Sequence, residues 1–111
     1  MLYTCFFMEK DFELTGLFEM YGNLLTEHQK ELFDLYFGCD LSLGEIAEIK
    51  KISRQSVNDG LKKAKEILLE TENKLGLFGK ISRVIAETEK GEKSGDYKSA
   101  VLNIKSLLEE V

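Results

Sequence analysis

Residues 42–62 read SLGEIAEIKKISRQSVNDGLK, and the fold turns on how this stretch divides. Ser42 with Glu45 three residues on is a capping box: the hydroxyl accepts from the third amide while the glutamate reaches back to the cap's own N–H. The apolar spacing predicts a short helix over residues 43–50 that buries Leu43, Ile46 and Ala47, with Ile49 at its edge. Ser53 offers a second cap, and no strong stop follows before Gly76. A short capped helix, a turn of about three residues and a second capped helix is the layout of a helix-turn-helix. Ala47 is small where the two helices must approach. Ile46, Ile52 and Val57 lie where an interhelical core would clasp them, and Leu43 and Leu61 extend that core. Serine-capped helical hairpins are also common in all-helical domains generally, and many serve protein interfaces.

The flanks read as helix too, so the expected fold is all-α: a small helical bundle around the helix-turn-helix, with a long recognition helix and a C-terminal helical arm. Strict apolar/polar alternation is absent. A first helix is predicted over 11–24, carrying Leu14, Leu17, Phe18, Tyr21, Leu24 and Leu25. Thr26 and Gln29 form another capping box, opening a helix over 27–37 that stops near Gly38. After Ser53, the apolar positions Val57, Leu61, Ala64, Leu68 and Leu75 make a heptad-like seam, longer than a small core needs. Leu77, Phe78, Ile81, Val84 and Ile85 mark a fifth helix, and the polar, glycine-bearing residues 89–95 look like a linker. Tyr97, Val101, Ile104, Leu108 and Val111 complete an amphipathic final helix. Three parts are expected: an N-terminal stub, 1–10; a helix-turn-helix domain, 11–78; and C-terminal helices, 79–111, acting as an oligomerisation arm, with subunits pairing through the long seam and the C-terminal helix, most simply in a homodimer.

The chain has 111 residues, 43% hydrophobic and 32% charged, with no proline, so it holds enough apolar surface for a core and is not a disordered chain. Two cysteines, Cys5 and Cys39, cannot staple a fold of this size; reduced thiols in the cytoplasm are expected, with Cys39 buried or half-buried. No apolar run reaches the roughly 18–20 residues that cross a bilayer, so membrane insertion is not expected. The opening MLYTCFFM lacks a basic start and a small-residue cleavage site and is not expected to be a secretory signal.

Net charge is -5, unevenly spread. Residues 1–49 carry -8, residues 50–65 carry +5 and residues 66–111 carry -2. The basic block comprises Lys50, Lys51, Arg54, Lys62, Lys63 and Lys65 against Asp59 alone. A solvated helix face is the plain reading of such a block. On the second helix of a helix-turn-helix it gains another. Ser53 aims a helix N-terminus, with its partial positive charge, outward. Arg54, Gln55 and Asn58 project from the first turns and are side chains able to hydrogen-bond base edges in a major groove. Lys62, Lys63 and Lys65 follow as sequence-independent phosphate contacts. Other chemistry finds little support. His28 is the lone histidine, on a helix surface beside Glu27 and Glu31, and is expected to be solvated rather than a metal ligand. No histidine is placed to activate Cys39, and Gly76 and Gly79 lack the lysine and serine of a phosphate loop. No cofactor, metal or catalytic residue is expected, and the aromatics Phe12, Phe18, Tyr21, Phe33, Tyr36 and Phe37 follow helical spacing, as core residues do.

Residues 40–48, DLSLGEIAE, then Ser53-Arg54-Gln55-Ser56-Val57 with Asp59, then Lys65-Glu66-Ile67-Leu68, together resemble the YlxM family of small bacterial proteins. Tyr21 to Gln29 is similar to that family's helix-ending Y-x-x-L-L-T-x-x-Q. The likeness covers residues 12–78, and the family is in turn similar to region four of bacterial sigma factors. It implies an all-helical, non-enzymatic DNA-binding or regulatory protein. Because such genes typically sit beside those of the signal recognition particle GTPase and its receptor, it also implies a role in that targeting pathway. Duplex DNA, the particle's RNA and the GTPase are therefore the partners to expect. Homologous chains begin near Met8, so translation is expected to start there. The family usually has glycine at Lys51, a bulky apolar residue at Lys50, tyrosine at Asn58 and asparagine at Gly60. A positive φ at Lys51 would strain a lysine, and a glycine at 60 costs its helix about 0.8–1 kcal/mol.

Overall fold

A computed structural model describes the backbone of residues 5–110 and the side chains of residues 13–110. The described residues form helices and turns with no strand, so the protein is all-α. They divide into two compact units, one running to Lys74 and the other starting at Leu75.

In the first unit, α1 spans Cys5–Tyr21, ahead of its expected start at residue 11; the first four residues of the expected stub lie outside the described residues. A single 3-10 turn, Gly22–Leu24, ends it. The tighter winding corrects the expected stripe: Leu25 is buried and Leu24 faces water. Thr26 and Gln29 close their capping box, with Gln29 N–H donating to Thr26 Oγ1 at 3.1 Å and Thr26 N–H to Gln29 Oε1 at 2.9 Å. The helix they start, α2 (Glu27–Phe33), passes into a π turn over Asp34–Gly38. This wider turn carries an aromatic row. Phe18 stacks on Phe33 with centroids 4.4 Å apart, Phe33 meets Phe37 at 4.4 Å, and Tyr36 sits edge-on to Phe37. The segment ends at Gly38, where the sequence predicts the stop, and the left-handed residue of the exit is Asp40 at φ 58°, a side chain that tolerates this region better than most. Leu41 N–H then closes on Leu35 O at 3.1 Å. Cys39, expected inside, is exposed because it lies on the outer side of this exit.

Helix α3 (Leu43–Lys50) opens on the Ser42–Glu45 box, with bonds of 3.1 and 2.9 Å, and leaves through Lys51. Ile49 remains more than half exposed, so the packing edge of α3 is Ala47 rather than Ile49. Helix α4 (Arg54–Leu75) is capped by Ser53, whose Oγ accepts from Ser56 N–H at 3.0 Å. Its seam is consumed within this chain. Val57, Leu61, Ala64 and Leu68 are all buried in the first unit's own core, and only Leu75 stays exposed. Tyr21 OH donates to Glu72 Oε1 at 2.7 Å, tying the end of α1 to the last turns of α4.

The second unit is a helical hairpin of α5 (Leu77–Ser94) and α6 (Tyr97–Glu109). Residues 89–94, expected as linker, are helical, and the connection is Gly95–Asp96 alone. Their polarity reflects a solvated face, and Gly91 is there for contact: a Cβ on it would lie 2.7 Å from Ala100 Cβ. Gly95, at φ 76°, ends α5, and Asp96 caps α6 by accepting from Ser99 N–H at 3.2 Å. Asn103 donates to Glu87 at 3.0 Å across the hairpin, and Lys80 pairs with Glu110 at 3.3 Å. No helix of the described residues is long and apolar enough to cross a membrane.

Candidate nucleic-acid interface

The inner side of α4 determines what its outer side presents. Leu32, Ile46, Val57 and Leu61 form a buried cluster, with Leu43, Ala47 and Ile52 packed against it. Every expected helix-turn-helix core position therefore lies in one apolar contact region between α3, the turn and α4. Sequence reading missed that Leu32 of α2 occupies its centre. Leu32 enters at Gly60, where a Cβ would come within 2.4 Å of its Cδ1. The signal was present as a gap: a glycine beside Leu61, with Ala64 one turn on, leaves the inner flank of an otherwise ordinary helix without bulk.

The turn between the helices depends on Lys51, which sits in the left-handed region at φ 59°. It lets Ile52 N–H bond back to Ala47 O at 3.1 Å, which turns Ile52 into the core and Ser53 out.

With that side fixed, Ser53, Arg54, Gln55, Asn58, Lys62 and Lys63 are all exposed on α4 or its cap. They are not equivalent. Ser53 Oγ is engaged in capping and donates to Ser56 Oγ at 3.0 Å. Gln55 Nε2 donates to Asp59 Oδ1 at 3.0 Å, so its amide is already partnered. Around the helix, Asp59 falls between Lys62 and Lys63, placing a carboxylate in the middle of the outward face. Arg54, Asn58, Lys62 and Lys63 have no hydrogen-bonded or ion-paired side-chain partner among the described residues.

The basic block separates in the same way. Lys50 pairs with Glu31 of α2, and its hydrogen bond and charge together hold the Glu31 carboxyl below the ordinary glutamate range. Lys65, grouped by sequence with the phosphate contacts, is half-buried, its ammonium 5.7 Å from the centroid of the Phe37 ring. Lys51, Arg54, Lys62 and Lys63 are the block's cations left to water.

A capped short helix, a left-handed turn residue and a capped long helix closed over a shared core make this a helix-turn-helix protein. The chain belongs to the UPF0122 family. Residues 8–103 match the family's sequence model, described as "Putative helix-turn-helix protein, YlxM / p13 like". A UPF0122 protein of Caldanaerobacter subterraneus subsp. tengcongensis is 49% identical over 84 residues, covering 75% of this chain and 72% of that one. One from Desulforamulus reducens is 47% identical over 76 residues, covering 68% and 65%, and one from Limosilactobacillus reuteri is 46% identical over 71 residues, covering 64% and 63%. The matched region spans about two-thirds of the length of these relatives.

Proposed function

We propose that the chain is a cytoplasmic, non-enzymatic regulatory protein that binds nucleic acid through the exposed face of α4, in the service of the signal recognition particle pathway. The observation that carries the binding reading is the group of unpaired side chains Arg54, Asn58, Lys62 and Lys63 on the helix whose opposite side is locked into the core. A helix so held presents its cations at fixed positions, and phosphate neutralisation supplies most of the affinity of such contacts. Ser53 contributes by directing the helix N-terminus outward. The pathway assignment rests on the family resemblance alone.

One observation favours a second reading, in which the same surface docks on the particle's RNA or its GTPase without reading DNA sequence. Gln55 is held by Asp59, which removes one base-reading amide and puts a carboxylate on the face. Phosphate gripping tolerates that loss better than base readout does. Titration of the full chain at moderate salt against random duplex DNA, the particle's RNA and the GTPase separates the readings. Tight DNA binding, weakened roughly 100-fold by Lys62→Glu/Lys63→Glu, is the expected result. Binding to the RNA or GTPase alone would make α4 a docking surface, and binding unaffected by the double variant would remove α4 from either role.

A further inference from the structure

The hairpin of α5 and α6 leaves much of its apolar surface uncovered. Among its described residues only Gly91 and Ala100 are buried, with Phe78, Val84, Ile104 and Leu107 half-buried, and a unit below about 40 residues rarely holds together without a covering partner. On α5 the line of contact with α6 runs through Lys80, Glu87 and Gly91, with the half-buried Val84 on the same side, while Leu77, Ile81 and Ile85 follow a stripe roughly a quarter-turn round. On α6 the contact runs through Ala100 and Asn103, and Tyr97, Val101 and Leu108 form a stripe displaced in the same sense. Because the helices are antiparallel, equal displacements put both stripes on one face of the hairpin. The opposite face carries Arg83, Ala86 and Ser106.

We propose that this apolar face is covered by the same face of a second copy, forming a four-helix bundle in which α5 of each chain lies on α6 of the other. The six stripe residues are between 36% and 61% exposed. Six large apolar side chains about half exposed supply a substantial part of the ~800 Å² that each partner contributes to a standard interface. Charge selects the arrangement. Glu89 and Glu92 flank the α5 stripe, whereas Lys98 and Lys105 flank that of α6. All four are exposed and without an ion-pair partner among the described residues. A two-fold axis parallel to the helices sets each acidic edge against the partner's basic edge, with Glu92 level with Lys98 of the other copy. The α4 seam offers no rival surface, because it is already buried. The inference is independent of any nucleic-acid binding.

Sedimentation equilibrium of the full chain, without ligand, tests this. Twice the monomer mass is expected at tens of micromolar, with Ile81→Glu/Val101→Glu monomeric at unchanged helicity. Glu92→Lys and Lys98→Glu should each weaken association roughly tenfold, since each sets like charges face to face twice per dimer. An equimolar mixture of those two single variants should restore it, because both cross-chain pairs then become opposite in sign. A monomer at ~100 μM, a dimer indifferent to Ile81→Glu/Val101→Glu, or a mixture no tighter than its components overturns the proposal.

Discussion

At Lys51 the chain leaves α3 with φ 59°, a conformation that costs a residue with a side chain about 1 kcal/mol or more. Glycine would relieve that cost, yet Lys51 is also one of the cations facing water beside α4. Lys51→Gly should therefore raise the free energy of unfolding by about 1 kcal/mol, read as a higher urea midpoint. On the proposed function it should also weaken duplex DNA binding and reduce the salt dependence by about one counterion. A stability gain without that loss would show that Lys51 takes no part in binding. The strained turn was anticipated only through the family resemblance, whose usual glycine at this position implies a left-handed residue; lysine itself carries no such signal. The roles of Lys50 and Lys65 were not readable. Their neighbours Glu31 and Phe37 lie on the α2–π-turn segment, and charge counting cannot tell a paired lysine from a free one.

Within the elements, the capped starts were legible and the contacts made by small residues were not. Thr26–Gln29, Ser42–Glu45 and Ser53 act through bonds spanning three residues, so sequence alone places the starts of α2, α3 and α4. Gly60 and Gly91 are explained only by partners from elsewhere in the chain, Leu32 and Ala100. That is why one seemed merely a costly residue in a helix and the other part of a linker. The distinction can be measured. Gly60→Ala gains helix propensity worth about 0.8–1 kcal/mol but drives a methyl into Leu32, which is fully buried and has little room to move. Overpacking of that kind costs about 1–3 kcal/mol, so a net loss of about 1 kcal/mol is expected in urea unfolding. Gly44→Ala, where the nearest atom to a new Cβ is Ser42 Oγ at 3.9 Å, should instead gain about 0.5 kcal/mol. Equal signs for the two variants would refute the notch at Gly60.

Over the whole molecule, a net charge of -5 disfavours a polyanion, and on the proposed function the attraction is concentrated at the basic block's free cations Lys51, Arg54, Lys62 and Lys63. If each meets a phosphate, the slope of log affinity against log salt should be about -3.6 for one copy and about twice that for a dimer engaging both heads. Fluorescence anisotropy on a short duplex across a salt series reads this directly, and a slope near -1 would contradict the assignment of all four. The carboxylate of Asp59 sits in the middle of this small set and offsets a quarter of its charge. Any aspartate codon becomes an asparagine codon by one base change, with the side chain's shape preserved. On the proposed function, the grip of this surface on a polyanion thus lies a single point mutation from a stronger setting, and selection could raise or lower it without disturbing the core beneath.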